Sequence, residues 1–194
     1  MQTETPQYSI FGWISLQTER LRLRPFLEDD AASILALFMD DGFMEFSSAP
    51  MFKSIQEADA LVVRDIEKRA TGERLRLGIE RIEDGALIGY CDLFNIDRAC
   101  QKGEIGYGLL TRERGFGFMN EALLTFLNWV LNEFSLNRVM AELDPANTNS
   151  EKIVKRLGFT KEGHFRESCI VNGIFSDSVF YGLLKRDFQQ RPTL

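Results

Sequence analysis

The sequence predicts an α/β (α+β) fold, with a mixed, mostly antiparallel sheet of about six to seven strands and about four helices placed on both of its faces. Two observations carry this. Strand-like and helix-like runs follow one another in the order β-α-α-β-β-β-α-β-α-β-β. The three central strand-like runs are separated only by the turn signals EDG and RACQKG, which favours a meander of antiparallel strands.

Each element has a local reason. RLRLRPF, Arg20 to Phe26, alternates charge with leucine, the period of a strand with one buried face. Residues 1–14 ahead of it are expected to form a loose arm, leaving a single domain over 15–194. EDDAASILALFMD sets Ile34, Leu35, Leu37 and Phe38 behind an acidic first turn, and IQEADALVVRDIEKRA repeats a helical period before Gly72; both read as helices. RLRLGIERI, ALIGYCDLFNI and GEIGYGLL form the meander. A long helix from about Phe118 to Phe134 leads into the strand RVMAELDP, and NTNSEKIVKRLGF is a short helix ending near Gly158. HFRESCIV and FSDSVFYGLL flank Asn172-Gly173, a strong hairpin signal.

Composition narrows the function. The chain has 194 residues, 44% of them hydrophobic, enough for one buried core and too few for two full domains. With 23 basic against 29 acidic residues the formal charge is -6, the wrong sign for tracking a nucleic-acid backbone. The three cysteines, Cys91, Cys100 and Cys169, form no C-x-x-C pair and suggest neither a disulfide framework nor a zinc site. No leader-like or membrane-spanning run is visible, so a reduced, cytoplasmic setting is expected, with no membrane partner. The single histidine, His164, leaves no histidine-rich metal site. It is read as structural.

Chemistry concentrates in ERGFGFMNEALLTFLNWVLNEF. A glycine-rich turn opening a helix presents free backbone N–H groups at the positive end of the helix dipole, a place that binds phosphate. No Lys-Ser or Lys-Thr follows Gly115 or Gly117, which removes the P-loop reading. A dinucleotide fingerprint needs a glycine where the chain has Asn120, although Glu142 lies downstream as an acidic candidate.

The order R-G-F-G-F-M, Arg114 to Met119, resembles the acetyl-CoA loop of the GNAT N-acetyltransferases, [R/Q]-x-x-G-x-[G/A], with Met119 where a small residue is usual. Along the chain LQTERLRLRPF, IGY, EIGYGLL, NEAL and NTNSEKIVKRLGFTKEG succeed one another as in the RimJ/RimL-like branch, which acetylates ribosomal-protein N-termini and has relatives acting on other amines. The resemblance implies acetyl-CoA held by the backbone of Arg114, Gly115, Phe116, Gly117, Phe118, Met119 and Asn120, with Arg112 and Lys152 as local cations against its phosphates. A backbone N–H near Leu109 or Leu110 is the implied oxyanion donor.

The resemblance also implies roles for side chains. Glu104 is the candidate base that takes a proton from the amine, directly or through water; its rival role is a solvated strand glutamate. The tyrosine that many relatives use as proton donor is replaced by Val154, and Ser150 is the substitute near the sulfur. Thr148 with Glu151 reads as a capping box that leaves the Ser150 hydroxyl free. Asn147 resembles the asparagine that bonds the pantetheine arm. Phe43 and Phe46, within the run GFMEFSSAPMF, together with Tyr107 and Asp177, are candidates for the acceptor site, Asp177 having the rival role of stapling its hairpin. The expected activity is direct acetylation of a primary amine, foremost a protein or peptide N-terminus, by a monomer or homodimer. Polyamines or amine drugs are the alternative acceptors, and a non-catalytic acyl-CoA-binding module is the alternative of another class.

Overall fold

The structure, a computed structural model, describes residues 11–171 and 173–190. In chain order its elements are β1 (Leu16–Gln17), β2 (Leu21–Arg24), α1 (Ala31–Phe38), α2 (Asp41–Met44), α3 (Ile55–Thr71), β3 (Leu75–Arg81), β4 (Leu87–Asp97), β5 (Lys102–Leu109), α4 (Phe118–Asn128), β6 (Arg138–Leu143), α5 (Thr148–Arg156), β7 (Thr160–Val171), β8 (Ile174–Leu184) and α6 (Lys185–Gln190). One sheet runs β1-β2-β3-β4-β5-β6-β8-β7. Every neighbouring pair in it is antiparallel except β5 with β6.

The expected mixed fold is present, with small additions. The two-residue β1 extends the sheet at one edge, pairing Leu16 with Leu23. The short α2 forms because the Asp40 side chain accepts the Phe43 N–H at 2.7 Å, an N-cap on a stretch with no apolar period. The helix opening at Phe118 finishes in one π-helical turn, Trp129–Glu133. Gly72, at φ +78°, ends α3 as its position predicts. β7 and β8 pair down to Val171 and Ile174. Asn172 of the predicted hairpin turn lies outside the described residues.

Residues 1–10 of the predicted arm are also outside them. The part from Phe11 onward is anchored: Phe11 is 2% exposed, with its ring 4.9 Å from that of Phe134.

Alternation along the strands divides the core between two faces. Leu75, Leu77 and Ile79 of β3, Ile105 and Leu109 of β5 and Val139 and Ala141 of β6 join α4 and α5 in the main cluster. On the other face Ile34, Leu37, Leu61 and Val62 of α1 and α3 close a second cluster over Phe26, Leu87 and Leu110. Two arginine-centred networks are buried on this second side. Arg24 bridges Asp30 and Glu80, and Arg76 bridges Asp65 and Asp92.

Candidate active site

The parallel pairing of β5 with β6 covers only Lys102 to Glu104 against Arg138 to Met140. Both strands continue, to Leu109 and Leu143, without pairing to each other, so the sheet forks just past Glu104. Into this fork opens a cleft of about 610 Å³. Its walls come from β5, the loop ahead of α4, the first turns of α5, the end of β6 and the Gly42–Ser47 segment.

Main-chain direction follows from the ladder on the other side of β5. The Leu110 N–H donates to Ile88 O at 2.9 Å, toward β4. Alternate residues of an antiparallel strand face the same neighbour, so Ile105, Tyr107 and Leu109 turn their N–H groups toward the fork. Of the two oxyanion candidates, Leu110 is thus committed to the sheet and Leu109 is available.

The loop ahead of α4 has the shape its glycines predict. Gly115 and Gly117 take φ of +88° and +82°, and Gly117 stands at the N-cap of α4. A Cβ on Gly115 would meet nothing within 4 Å, so space lies above the loop's backbone. Met119, the departure from the family pattern, is 7% exposed in the main core. Arg114 donates to Gly42 O at 2.7 Å and to Leu109 O at 3.4 Å, tying the loop to the segment opposite. Asn120 Oδ1 is buried in the wall without a hydrogen-bond partner among the described residues. Arg112 and Phe116 do not line the cleft: the Phe116 ring is 62% exposed, and the Arg112 guanidinium turns to Glu113.

At α5 the cap differs from the expected box. Asn147, not Thr148, is the N-cap, and its Oδ1 accepts the Ser150 N–H at 3.1 Å. Glu151 is drawn away from Thr148 because the Tyr181 hydroxyl donates to it at 2.6 Å and Lys155 pairs with it at 2.8 Å. The Ser150 hydroxyl makes no hydrogen bond among the described residues, which retains the consequence expected of it by a different route. Tyr107 reaches the same turn from β5, its hydroxyl donating to Ser150 O at 3.4 Å. Burial pushes its phenol pKa up, although its bond to Ser150 opposes that. Val154 is fully buried in the core.

Carboxylates gather on the other side. Glu104, Gly106 and Gly108 of β5 and Met140 and Glu142 of β6 point away from the main core, so Glu104 and Glu142 share one face. Glu104 stands at the last paired rung, beside the mouth of the fork, and Asn95 Nδ2 donates to it at 3.0 Å. Burial raises its pKa, and the charge of Glu142 adds to the rise while the Asn95 bond opposes it. Glu142 itself lines the cleft, as do Glu45, Asp144, Phe43 and Phe46. In the sequence Glu142 is marked only as the acidic residue downstream of an incomplete dinucleotide fingerprint. Its parity with Met140 in RVMAELDP is the signal that assigns its face. Gly108 leaves room for Phe43, whose ring carbons would lie 2.5 Å from a Cβ there.

Asp177 is drawn elsewhere. It takes His164 Nε2 at 2.7 Å and the Glu167 N–H at 2.9 Å, fastening a bulge of the β7–β8 hairpin outside the cleft. Arg20, which no sequence signal marked, holds the loop from behind through Glu121 and the Phe116 carbonyl.

Residues 20–160 match the acetyltransferase (GNAT) domain. The chain belongs to the GNAT acetyltransferase family. It is thereby an enzyme of the N-acetyltransferase type, in a family that takes its acetyl group from acetyl-CoA. It is 30% identical over 174 residues to the N-acetyltransferase p20 of Bacillus licheniformis, covering 90% of this chain and 98% of that one. To the [ribosomal protein uS5]-alanine N-acetyltransferase of Escherichia coli it is 24% identical over 185 residues, covering 90% and 93%. RimJ of Mycobacterium smegmatis, solved in complex with CoA-disulfide, superposes with a TM-score of 0.82 at 21% identity, covering 92% of this chain and 89% of that one. This last likeness concerns the fold.

Proposed function

We propose that this protein transfers the acetyl group of acetyl-CoA to the N-terminal α-amine of a protein or peptide, by direct attack of the neutral amine. The observation that carries the reading is the fork itself. An anion-binding helix start and α5 border it on one side, and two carboxylates border it on the other.

The site's chemistry fits the cosubstrate. Backbone N–H groups at Gly117 and the start of α4 suit a diphosphate, Lys152 and Arg156 supply nearby positive charge, and the partnerless Asn120 Oδ1 offers an acceptor in the wall. With Asn147 Oδ1 committed to its cap, the Nδ2 of that side chain is left to donate to an amide carbonyl of the pantetheine arm. Bound acetyl-CoA supplies a thioester carbonyl and a thiol leaving group.

The chain's own residues do the rest. An arriving ammonium meets Glu142 in the cleft, and Glu104, its proton affinity raised by burial, takes the proton directly or through water. An α-amine with a pKa of about 7.7–8.0 asks little of such a base. The Leu109 N–H is placed to receive charge developing on the carbonyl oxygen. The Ser150 hydroxyl, in the first turn of α5, donates to the departing sulfur.

CoA release measured against a panel of free N-terminal peptides, polyamines and aminoglycosides tests this. Turnover with peptides above the rest is the expected result. Binding of acetyl-CoA with no release for any amine would leave a non-catalytic acyl-CoA-binding module.

A further inference from the structure

The wall of the cleft that carries Phe43 and Phe46 starts from α2, whose four residues are too few to hold a helix without outside contacts. Its N-cap supplies one such contact. Asp40 Oδ1 accepts the Phe43 N–H at 2.7 Å, and the same carboxylate takes the Thr111 hydroxyl and, at 3.3 Å, the Thr111 N–H. One side chain therefore caps α2 and ties it to the residue that follows Leu109 and Leu110, where β5 ends. That end is fixed in the sheet. The Leu110 N–H bonds to Ile88 O, and Glu113, buried two residues beyond Thr111, pairs with Arg81 at 2.6 Å.

Two glycines bring the parts close. A Cβ on Gly42 would collide with Thr111 Oγ1, and one on Gly108 would collide with the Phe43 ring. Neither glycine takes a positive φ, so the missing side chain is what the contact uses. Arg114 adds a second tie from the loop ahead of α4, through Gly42 O at 2.7 Å. Burial raises the Asp40 pKa, but the Thr111 and Phe43 bonds and the Arg114 charge outweigh it, and the net shift is downward. The acceptor of these bonds is thus a charged carboxylate, which strengthens them.

Neither Asp40 nor Thr111 lines the cleft. We propose that both are positioning residues for acetyl transfer: their contact fixes the aromatic wall of Phe43 and Phe46 relative to the Leu109 N–H. The inference rests on the acetyltransferase reading above and adds to it how the acceptor's wall is kept in register with the thioester. A wall free to shift by an ångström would present the amine off the line of attack, at a large cost in rate. Acetyl-CoA, held from the loop and α5, would not feel the loss.

The test uses the acceptor with the highest turnover among free N-terminal peptides, polyamines and aminoglycosides. Asp40→Ser keeps an N-cap for α2, but its single oxygen lies one bond nearer the backbone and cannot also serve Thr111. Thr111→Val keeps the shape of the side chain and removes the hydroxyl. Each should lower kcat/KM for the acceptor roughly tenfold, chiefly through KM, while the acetyl-CoA Kd stays within about twofold of wild type. The double variant should lose no more than either single one, because one contact is removed only once. Thr111→Ser, which retains the hydroxyl, should keep the wild-type values. A contact that serves folding alone would lower Tm and leave the acceptor KM where it was, and that result overturns the inference. So do unchanged kcat/KM in both single variants, losses that multiply in the double variant, or a fall in acetyl-CoA affinity as large as the fall in kcat/KM. A wild type that turns over none of the panel removes the acetyltransferase reading itself, and this inference with it.

Discussion

Arg20 Nη2 lies 2.6 Å from Glu121 Oε2, joining residues 101 positions apart in the sequence. The same guanidinium donates to Phe116 O at 3.1 Å and covers the Phe118 ring at 4.6 Å. The β1–β2 end of the sheet thereby holds the loop that presents N–H groups to the cleft. Arg20→Ala removes this support at a cost of about 1 kcal/mol, so acetyl-CoA should bind roughly fivefold more weakly in a titration, with little change in Tm. Burial raises the Glu121 pKa, but the bonds from Thr18 and Arg20 outweigh it and the net shift is downward. The tie is therefore complete above the unfolded glutamate pKa and loosens as pH falls through the lower folded value.

Gly117 at φ +82° stands where side chains are strained, whatever the free space above it. Gly117→Val therefore disturbs folding as well as phosphate approach. Gly117→Ala is expected to cost about 1–2 kcal/mol, and Gly117→Asn, which tolerates that region better, should recover part of the Tm. Calorimetry with and without acetyl-CoA separates the two effects: the ligand-induced rise in Tm should stay small in both variants.

Glu104 links activity to stability with opposite signs. Its folded pKa is raised, so its contribution to stability is full below the unfolded value of about 4.3 and declines as pH rises through the folded value. Glu104→Gln should raise Tm at pH 7, with the gain vanishing near pH 4. Turnover should drop by roughly 10²–10⁴-fold with acetyl-CoA affinity unchanged, and the residual rate should climb with pH, levelling near pH 8 for an α-amine. Full activity at every pH would remove Glu104 as the base.

Phe11 closes an aromatic cluster with Trp129 and Phe134, the latter two rings stacked 5.4 Å apart. Phe11→Ala should cost about 3–5 kcal/mol, a fall of about 10 °C in a thermal melt. A change under about 2 °C would show that the segment contributes little to folding.

Periodicity made most of this fold legible. Alternation in RLRLRPF and RLRLGIERI, the Gly72 stop and the paired strands flanking Asn172-Gly173 each leave a local trace. What stayed hidden depends on contacts distant in sequence. Phe11 reads as part of a loose arm until the slot formed by Trp129 and Phe134 is seen. At the proposed site, the loop glycines, Glu104, Ser150 and Asn147 are marked by the resemblance to the family. Glu142 became part of it only because β5 and β6 separate after Met140, and no local pattern announces where two strands stop pairing. Arg20 escaped notice because an arginine in an alternating strand looks like any solvated charge, and of the two roles open to Asp177 the structure shows the one that fastens the hairpin, through His164 and the Glu167 N–H.

The fork also leaves two strand edges inside a sheet, where edges are ordinarily hazards that recruit other chains. On the function proposed above, the pantetheine arm of acetyl-CoA, a thin chain with amides of its own, would lie between these edges. Such a guest would complete the sheet for a few rungs and act as a short missing strand. Amide protons of Ile105, Tyr107 and Leu109 should then exchange with solvent faster than those of Gly106 and Gly108, which bond toward β4. Acetyl-CoA should slow the first group selectively, so hydrogen exchange would map the missing strand residue by residue.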